Sequence, residues 1–325
     1  MMKPMMTAPT SAEMETVPCY FCGATESTPF MTAQEDLTGK PGDFYFVRCS
    51  NCSMVYQNPR VRVEKIIDYY DDDYIAHRKQ SSWGMLTPLF NRAMGKLDRD
   101  KDRLVSAYVR LGPEQHVLDV GCGAGTFLER LRAQYGCKAS GVDFKDLSSL
   151  PSFEQVELHC GLYYELDPPE NAYDLITMWH FLEHDYDPMR SLETAHKQLA
   201  PNGRLVIEVP RLDSRTFTLF KNRWPGLQAP QHTVIFDRKM LEQSLAKTGW
   251  EIEAYLPYGA FPAYFYLFAG LAFKLRKGKG INLQKAMLPY FLGQVLLWPV
   301  LLFERRLNLS MQTVVCRKRG EITDG

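Results

Sequence analysis

The chain has 325 residues, with Lys+Arg and Asp+Glu both at 38, so its formal net charge at neutral pH is zero. That length holds one α/β core of ordinary size plus one or two smaller units. The charge balance argues against a broadly basic nucleic-acid binder, and the polar residues after Met1-Met-Lys-Pro-Met-Met6 do not form a signal peptide, which predicts a cytoplasmic protein.

Residues 1–16, rich in Met, Thr, Pro and Ser without periodicity, read as a disordered tail. Residues 17–58 carry Cys19-x2-Cys22 and Cys49-x2-Cys52, with Gly23 allowing a tight turn after the first pair. In a reducing compartment two such knuckles point to four thiolates around structural zinc rather than to disulfides. An all-cysteine set leaves no open coordination position. The segment has too little apolar content to fold alone, so the metal is expected to supply much of its stability. Cys122, Cys137, Cys160 and Cys316 stand singly and read as small core residues. A connector follows over 59–112. It contains the aromatic, acidic stretch Tyr69-Tyr-Asp-Asp-Asp-Tyr-Ile-Ala-His77, expected to pack on the zinc unit or cover a pocket, and an amphipathic helix over 96–111.

The remainder, 113–325, is organised around His116-Val-Leu-Asp-Val-Gly-Cys-Gly-Ala-Gly125. It reads as a buried strand, a glycine loop, and a helix beginning at Thr126. This unit presents free backbone N–H groups and lets a ligand approach the backbone closely. The spacing is G-x-G-x-G, not the G-x-G-x-x-G of dinucleotide sites, and Asp119 lies two residues before it. A pyrophosphate is ill matched to that carboxylate. S-adenosylmethionine, which carries a sulfonium and an ammonium and no phosphate, suits it. Asp143, at the end of an expected second strand, can accept both ribose hydroxyls. Further strands are expected near 138–142, 155–159, 173–178, 203–209, 250–256 and 313–316, alternating with helices in a mostly parallel, doubly wound sheet.

From Val117 to about Gly249 the chain resembles the class I S-adenosylmethionine-dependent methyltransferases. The motifs occur in the family's order: Val117 to Gly125, Gly141-Val-Asp143, Tyr173-Asp-Leu-Ile-Thr-Met-Trp-His-Phe-Leu-Glu-His184, and Leu199-Ala-Pro-Asn-Gly-Arg-Leu-Val-Ile207. With its cysteine segment it is similar to bacterial members that carry an N-terminal zinc-binding unit. The resemblance implies a Rossmann-like α/β fold of seven strands with helices on both faces, plus a small zinc-ribbon-like unit. It implies a cofactor site at Asp119, Gly121, Cys122, Gly123, Gly125, Asp143, Phe144 and His180. Many relatives place an acidic residue after the third strand for adenine. His159-Cys-Gly-Leu-Tyr-Tyr164 has none, so backbone or aromatic contacts are expected there.

Methyl transfer is an in-line displacement, and an oxygen nucleophile often needs help losing its proton. His184 and His232 are the candidate bases or orienting groups, with Glu183 beside them. Some class I O-methyltransferases carry E-x-x-E-H at this place with a later His and bind a divalent metal. Here His180, Glu183, His184 and His232 offer a similar set, with His in place of the first Glu. Base-methylating enzymes often carry Asn/Asp-Pro-Pro-Tyr/Phe after the fourth strand, where this chain has Met178-Trp-His180. The expectation is O-methylation of a small, glycan-like, lipophilic or lipid-linked acceptor. RNA methylation and a non-catalytic binding protein are the alternatives.

Residues 258–305 exceed the minimal fold. Between Ala254 and Phe303 there is no acidic residue, and Lys274, Arg276, Lys277, Lys279 and Lys285 separate two apolar runs that Pro262, Pro289 and Pro299 interrupt. These runs are short for a ~30 Å hydrocarbon core. Two readings follow: an interfacial hairpin on the anionic inner face of a membrane, or a helical lid on the sheet.

Overall fold

The computed structural model describes residues 7–70, 87–166, 169–277, 279–281 and 283–320. Its N-terminal part consists of β1 (Met14–Glu15), β2 (Ser27–Gln34), β3 (Asp43–Cys49), β4 (Val55–Gln57), β5 (Arg60–Val61) and a single turn, α1 (Val63–Ile66). In β3, Phe44 and Phe46 are buried while Asp43 and Tyr45 face water, the alternation of a half-buried strand. The connector helix α2 spans Thr87–Val105, starting earlier than the periodicity predicts. Residues 71–77 of the aromatic stretch lie outside the described residues.

The core then runs β6 (His116–Val120), α3 (Thr126–Tyr135), β7 (Lys138–Asp143), β8 (Glu157–Cys160), β9 (Tyr173–Trp179), α4 (Pro188–Gln198), β10 (Leu199–Pro210), α5 (Arg215–Phe220), β11 (Val234–Ile235), α6 (Arg238–Lys247) and β12 (Trp250–Leu256). It ends with α7 (Ala263–Arg276), α8 (Leu283–Leu296), α9 (Trp298–Leu301), α10 (Glu304–Leu307) and β13 (Met311–Lys318). Seven strands form one sheet in the order β12-β13-β10-β9-β6-β7-β8. The five from β10 to β8 are parallel, and β13 runs antiparallel to both β10 and β12. The strands therefore read as continuous apolar runs: in β6, Val117, Leu118 and Val120 are wholly buried. Strand order reverses between β6 and β9, so their carboxyl ends open a crevice at a topological switch point. Local signals set the helix ends. Asp187 and Asp237 cap α4 and α6 by accepting from Arg190 N and Met240 N, and Gly136, at φ +69°, ends α3.

The N-terminal part does not stand apart from this core. Segment 17–58 borrows its fourth strand, because β11 pairs antiparallel with β4 to complete a sheet in the order β11-β4-β3-β2. Cys19, Cys49, Met54 and Tyr56 share one hydrophobic cluster with Leu118, Ile176 and Val234. Gln57, fully buried, donates from Nε2 to the carbonyls of Pro230 and His232 at 2.9 and 2.5 Å. A segment short of apolar residues thus gains a core from later in the chain as well as from any metal. The expectation of a disordered tail to residue 16 is corrected over its described part. Met14–Glu15 pairs with Arg60–Val61, and Glu15 Oε1 lies 2.7 Å from Arg60 Nε. The reason is electrostatic. Arg60 also donates to Tyr20 Oη and the Tyr186 carbonyl, and a guanidinium so enclosed is stabilised by a carboxylate partner.

The 258–305 insertion divides in two. On α7, Tyr264, Tyr266, Ala269, Gly270 and Phe273 are buried, and a Cβ at Gly270 would meet the Phe220 ring of α5 at 2.4 Å. That helix packs as an ordinary cover. On α8 and α9, Leu288, Leu292, Val295, Leu296 and Trp298 are exposed. No helix among the described residues is long and apolar enough to cross a membrane.

Candidate functional site

The crevice at the carboxyl ends of β6, β7 and β9 is a cavity lined by Tyr70, Gly121, Gly123, Asp143, Phe144, Gly161, Leu162, Tyr163, His180, Phe181, His184 and Asp185. Sharp backbone turns build it. Gly121 sits at φ +74°, and a Cβ there would fall 2.9 Å from the Phe181 ring. Gly125, at φ +70°, opens α3, and a Cβ there would strike Phe153 at 2.8 Å. Only glycine meets both demands. Asp143, buried, accepts from Gly123 N and Lys145 N at 3.0 Å each, which ties the second strand to the glycine turn. Burial raises its pKa against those two amides.

No lysine or arginine occurs among the described residues lining the cavity, and two carboxylates do. Beside these carboxyl groups stands the His180 imidazole, and the Asp143 carboxylate at the strand end suits sugar hydroxyls. A pyrophosphate would find no lysine or arginine partner. Of the sequence-derived cofactor residues, Gly121, Gly123, Asp143, Phe144 and His180 line this space. Asp119 lies beneath the turn, accepting from Thr177 Oγ1 at 2.6 Å, with burial raising its pKa to about 6. Cys122 points toward the second strand, where a Cβ on Gly141 would touch its sulfur, and Gly125 acts through the turn.

The loop after β9 carries the polar machinery. His180, in the left-handed region at φ +54°, stands between two buried carboxylates. Its Nε2 lies 3.2 Å from Glu208 Oε1 and its Nδ1 3.4 Å from Glu183 Oε1. Burial opposes the imidazolium, but the two carboxylates outweigh it and raise the pKa to about 9. Burial likewise opposes the charge on Glu208. There His180 and the amides of Ala260 (2.6 Å) and Phe261 (3.0 Å) win and hold the pKa below the usual range. Glu208 escaped the sequence reading although a signal existed: it is the one charge inside the apolar run Leu205-Val-Ile-Glu-Val209.

His184 and His232 meet edge to face with ring centroids 4.3 Å apart. The Nδ1 of each faces a carbonyl, Gln231 O at 3.1 Å for His184 and Gly226 O at 2.8 Å for His232. A carbonyl only accepts, which assigns the His232 proton to Nδ1 and leaves its Nε2 as a lone-pair donor. His184 Nδ1 is shared between a carbonyl and a hydroxyl, and its Nε2 carries the lone pair in the tautomer that donates to the carbonyl. Burial lowers both pKa values to about 3, so both rings are neutral. Tyr70 Oη lies 2.8 Å from His184 Nδ1. Behind them Glu183 is 1 % exposed, and neither carboxylate oxygen has a hydrogen-bond partner. Glu183, His184 and His232 each bring a ligand atom within 4.8 Å of the others.

The second cluster is Cys19, Cys22, Cys49 and Cys52, whose sulfurs also lie within 4.8 Å of one another. Cys19 and Cys52 are 3.4 Å apart, and Cys22 and Cys49 are 3.6 Å apart. A tetrahedron of thiolates at about 2.3 Å from zinc has edges of about 3.8 Å, so the donor set fits that ion. The two knuckles repeat one geometry. Gly23 N donates to the Cys19 carbonyl and Ser53 N to the Cys49 carbonyl, with Gly23 and Ser53 both left-handed.

Comparison with known proteins agrees with this architecture. The profile of a methyltransferase domain family matches residues 86–255, just over half of the chain. The ubiquinone biosynthesis O-methyltransferase of Idiomarina loihiensis is 29 % identical over 126 residues, 36 % of this chain and 49 % of that protein. The enzyme of the same name from Coxiella burnetii is 33 % identical over 98 residues, covering 28 % and 42 %. The chain thus spans about half the length of the curated relatives it matches. Among solved structures, the [4+2]-cyclase SpnF is similar at a TM-score of 0.48 and 18 % identity, over 76 % of this chain and 97 % of that one.

The cluster around His180 makes one prediction. Glu208→Leu leaves the Ala260 and Phe261 amides without their acceptor and His180 with one carboxylate, and should cost about 3 kcal/mol in urea unfolding. Glu208→Gln, which keeps one acceptor oxygen, should cost less. Equal stability of Glu208→Leu and the wild type would show that this carboxylate does not hold the loops together.

Proposed function

The chain belongs to the methyltransferase domain family, and from that premise we propose that it moves a methyl group from S-adenosylmethionine to a hydroxyl oxygen of a lipophilic acceptor. The observation that carries this is the cavity itself: a glycine turn, a buried Asp143 at the second strand end, and no lysine or arginine among its described lining residues. Asp143 accepts from the ribose hydroxyls. Tyr163 and Phe144 offer aromatic contact to the adenine, in place of the acidic residue absent after the third strand. The bound cofactor supplies an electrophilic methyl group on a sulfonium. The chain's own part is orientation, a large share of the rate in such displacements. His184, neutral at the cavity wall, offers a lone pair to the acceptor hydroxyl, and His232 braces its ring. With pKa values near 3, both histidines position the hydroxyl better than they remove its proton. As the oxygen–methyl bond forms and the sulfur–methyl bond breaks, the proton passes to water and the neutral thioether, S-adenosylhomocysteine, leaves. Acceptor type is carried over from the two ubiquinone biosynthesis O-methyltransferases, so it rests on similarity over part of their length.

A second reading of the acceptor side has an observation of its own. Glu183 is a buried carboxylate whose ion pair with His180, at 3.4 Å, leaves its second oxygen without a hydrogen bond. Beside it stand two imidazoles whose Nδ1 atoms face carbonyls, the arrangement that orients metal-bound histidines. Glu183, His184 and His232 would then hold a divalent ion, which supplies a lowered pKa for an acceptor hydroxyl. The four cysteines, separately, would hold structural zinc.

The exposed apolar face of α8 and α9, with the basic residues Lys274, Arg276, Lys277 and Lys279 ahead of it, supports docking on an anionic membrane surface. There the enzyme would meet a lipid-linked acceptor.

Four measurements test this reading. In calorimetry, Asp143→Ala should weaken S-adenosylmethionine by on the order of tenfold or more, as expected when hydroxyls lose a buried partner; unchanged affinity removes the ribose assignment. In elemental analysis, Cys49→Ser should release zinc while cofactor binding persists. If a second ion is present, His232→Ala should release it and turnover should cease with chelator; turnover indifferent to chelator leaves His184 as an orienting group alone. In flotation, the protein should rise with anionic vesicles at low salt, and replacing 258–305 by a short loop should abolish this. A wild-type protein that stays at the bottom of the gradient sinks the membrane assignment.

A further inference from the structure

A second cavity, of about 150 Å³, lies between α2, α7 and α8. Phe90, Met94 and Leu97 of α2 form one wall, and Phe268 of α7 and Met287 and Phe291 of α8 form the other. Its wall is continuous with the functional site. Phe261 lines this cavity, stands edge to face on His180 at 4.9 Å, and is held by its amide on Glu208 at 3.0 Å. Phe261 thus stands between the two spaces, against a residue that lines the first. Its far wall, α8, is the helix whose outer face exposes Leu288, Leu292 and Val295. Inner and outer faces of one helix are both apolar, so the cavity lies one helix thickness from the surface assigned to the membrane.

A space of this size and lining does not suit water, which needs two to four polar partners. The space is open on one side, and its apolar wall stays in contact with water unless a ligand covers it. An apolar chain satisfies both conditions. We infer that this cavity receives the hydrocarbon tail of the methyl acceptor, drawn from the bilayer under α8, while the acceptor's hydroxyl-bearing head lies beyond Phe261 at His184. The inference rests on the proposed methyl transfer to a lipophilic acceptor and adds its tail site.

The probes are primary n-alkanols from butanol to decanol, titrated into the full-length protein by calorimetry. Affinity should rise about fourfold per added methylene and then level off once the cavity is full. Ala93→Trp and Ala286→Trp, which fill it from α2 and α8 and leave the exposed face untouched, should weaken octanol by about tenfold or more. S-adenosylmethionine affinity, measured in the same samples, should stay unchanged, which separates this test from that of the cofactor site. Octanol binding undiminished in both variants, or affinity that never levels off with chain length, overturns the proposal. If a variant loses cofactor binding through misfolding, the wild-type chain-length series decides by itself. Loss of membrane flotation with alkanol binding intact would leave the tail site standing and move its source to soluble lipophiles.

Discussion

One partly exposed imidazole between two buried carboxylates holds the working face of this protein together. Burying any of the three charges alone would be costly, so His180, Glu183 and Glu208 stabilise one another or not at all. The consequence is positional. Glu208 at the end of β10 also binds the amides that begin the 258–305 insertion, and Thr313 of β13 donates to it at 3.2 Å. Three pieces distant in sequence converge on a single carboxylate, and the left-handed backbone at His180 turns the loop after β9 toward it.

The same logic explains why the cysteine segment matters to a site it does not line. Gln57 and β4 clamp the loop that carries His232, and Thr233 N donates to the Glu183 carbonyl at 2.8 Å. Gln231 Nε2 meanwhile reaches the Tyr69 carbonyl at 3.1 Å. The cysteine segment at 19–52 therefore braces the frame on which the two neutral histidines face each other. Its role in the chemistry would be precision of placement, since an error near 1 Å at a reacting atom can cost about a hundredfold in rate.

The insertion shows how composition and packing can part. α7 and α8 have similar apolar content, yet α7 buries Tyr266, Ala269 and Phe273 while α8 leaves Leu292, Val295 and Leu296 open. Of the two readings made from the sequence, the lid describes α7, whereas α8 presents an exposed apolar face whose docking on a membrane is the proposal made above. A protein that exposes so many large apolar side chains in one place needs something to cover them.

Much was determined by the sequence alone. Short-range patterns specify the parallel strands, the glycine turn at 121–125 and the paired cysteines, because each is a local backbone or spacing requirement that the next few residues reveal. Asp143 was legible for the same reason, as a carboxylate at a strand end. Tertiary structure alone decided the rest. That Glu208 is a charge partner, that Tyr70 faces His184, that β11 completes the cysteine sheet and that 14–15 is a strand all depend on contacts between segments up to about 180 residues apart. A buried charge is stable only where its partner lies in space, and no local pattern records which distant segment will bring that partner.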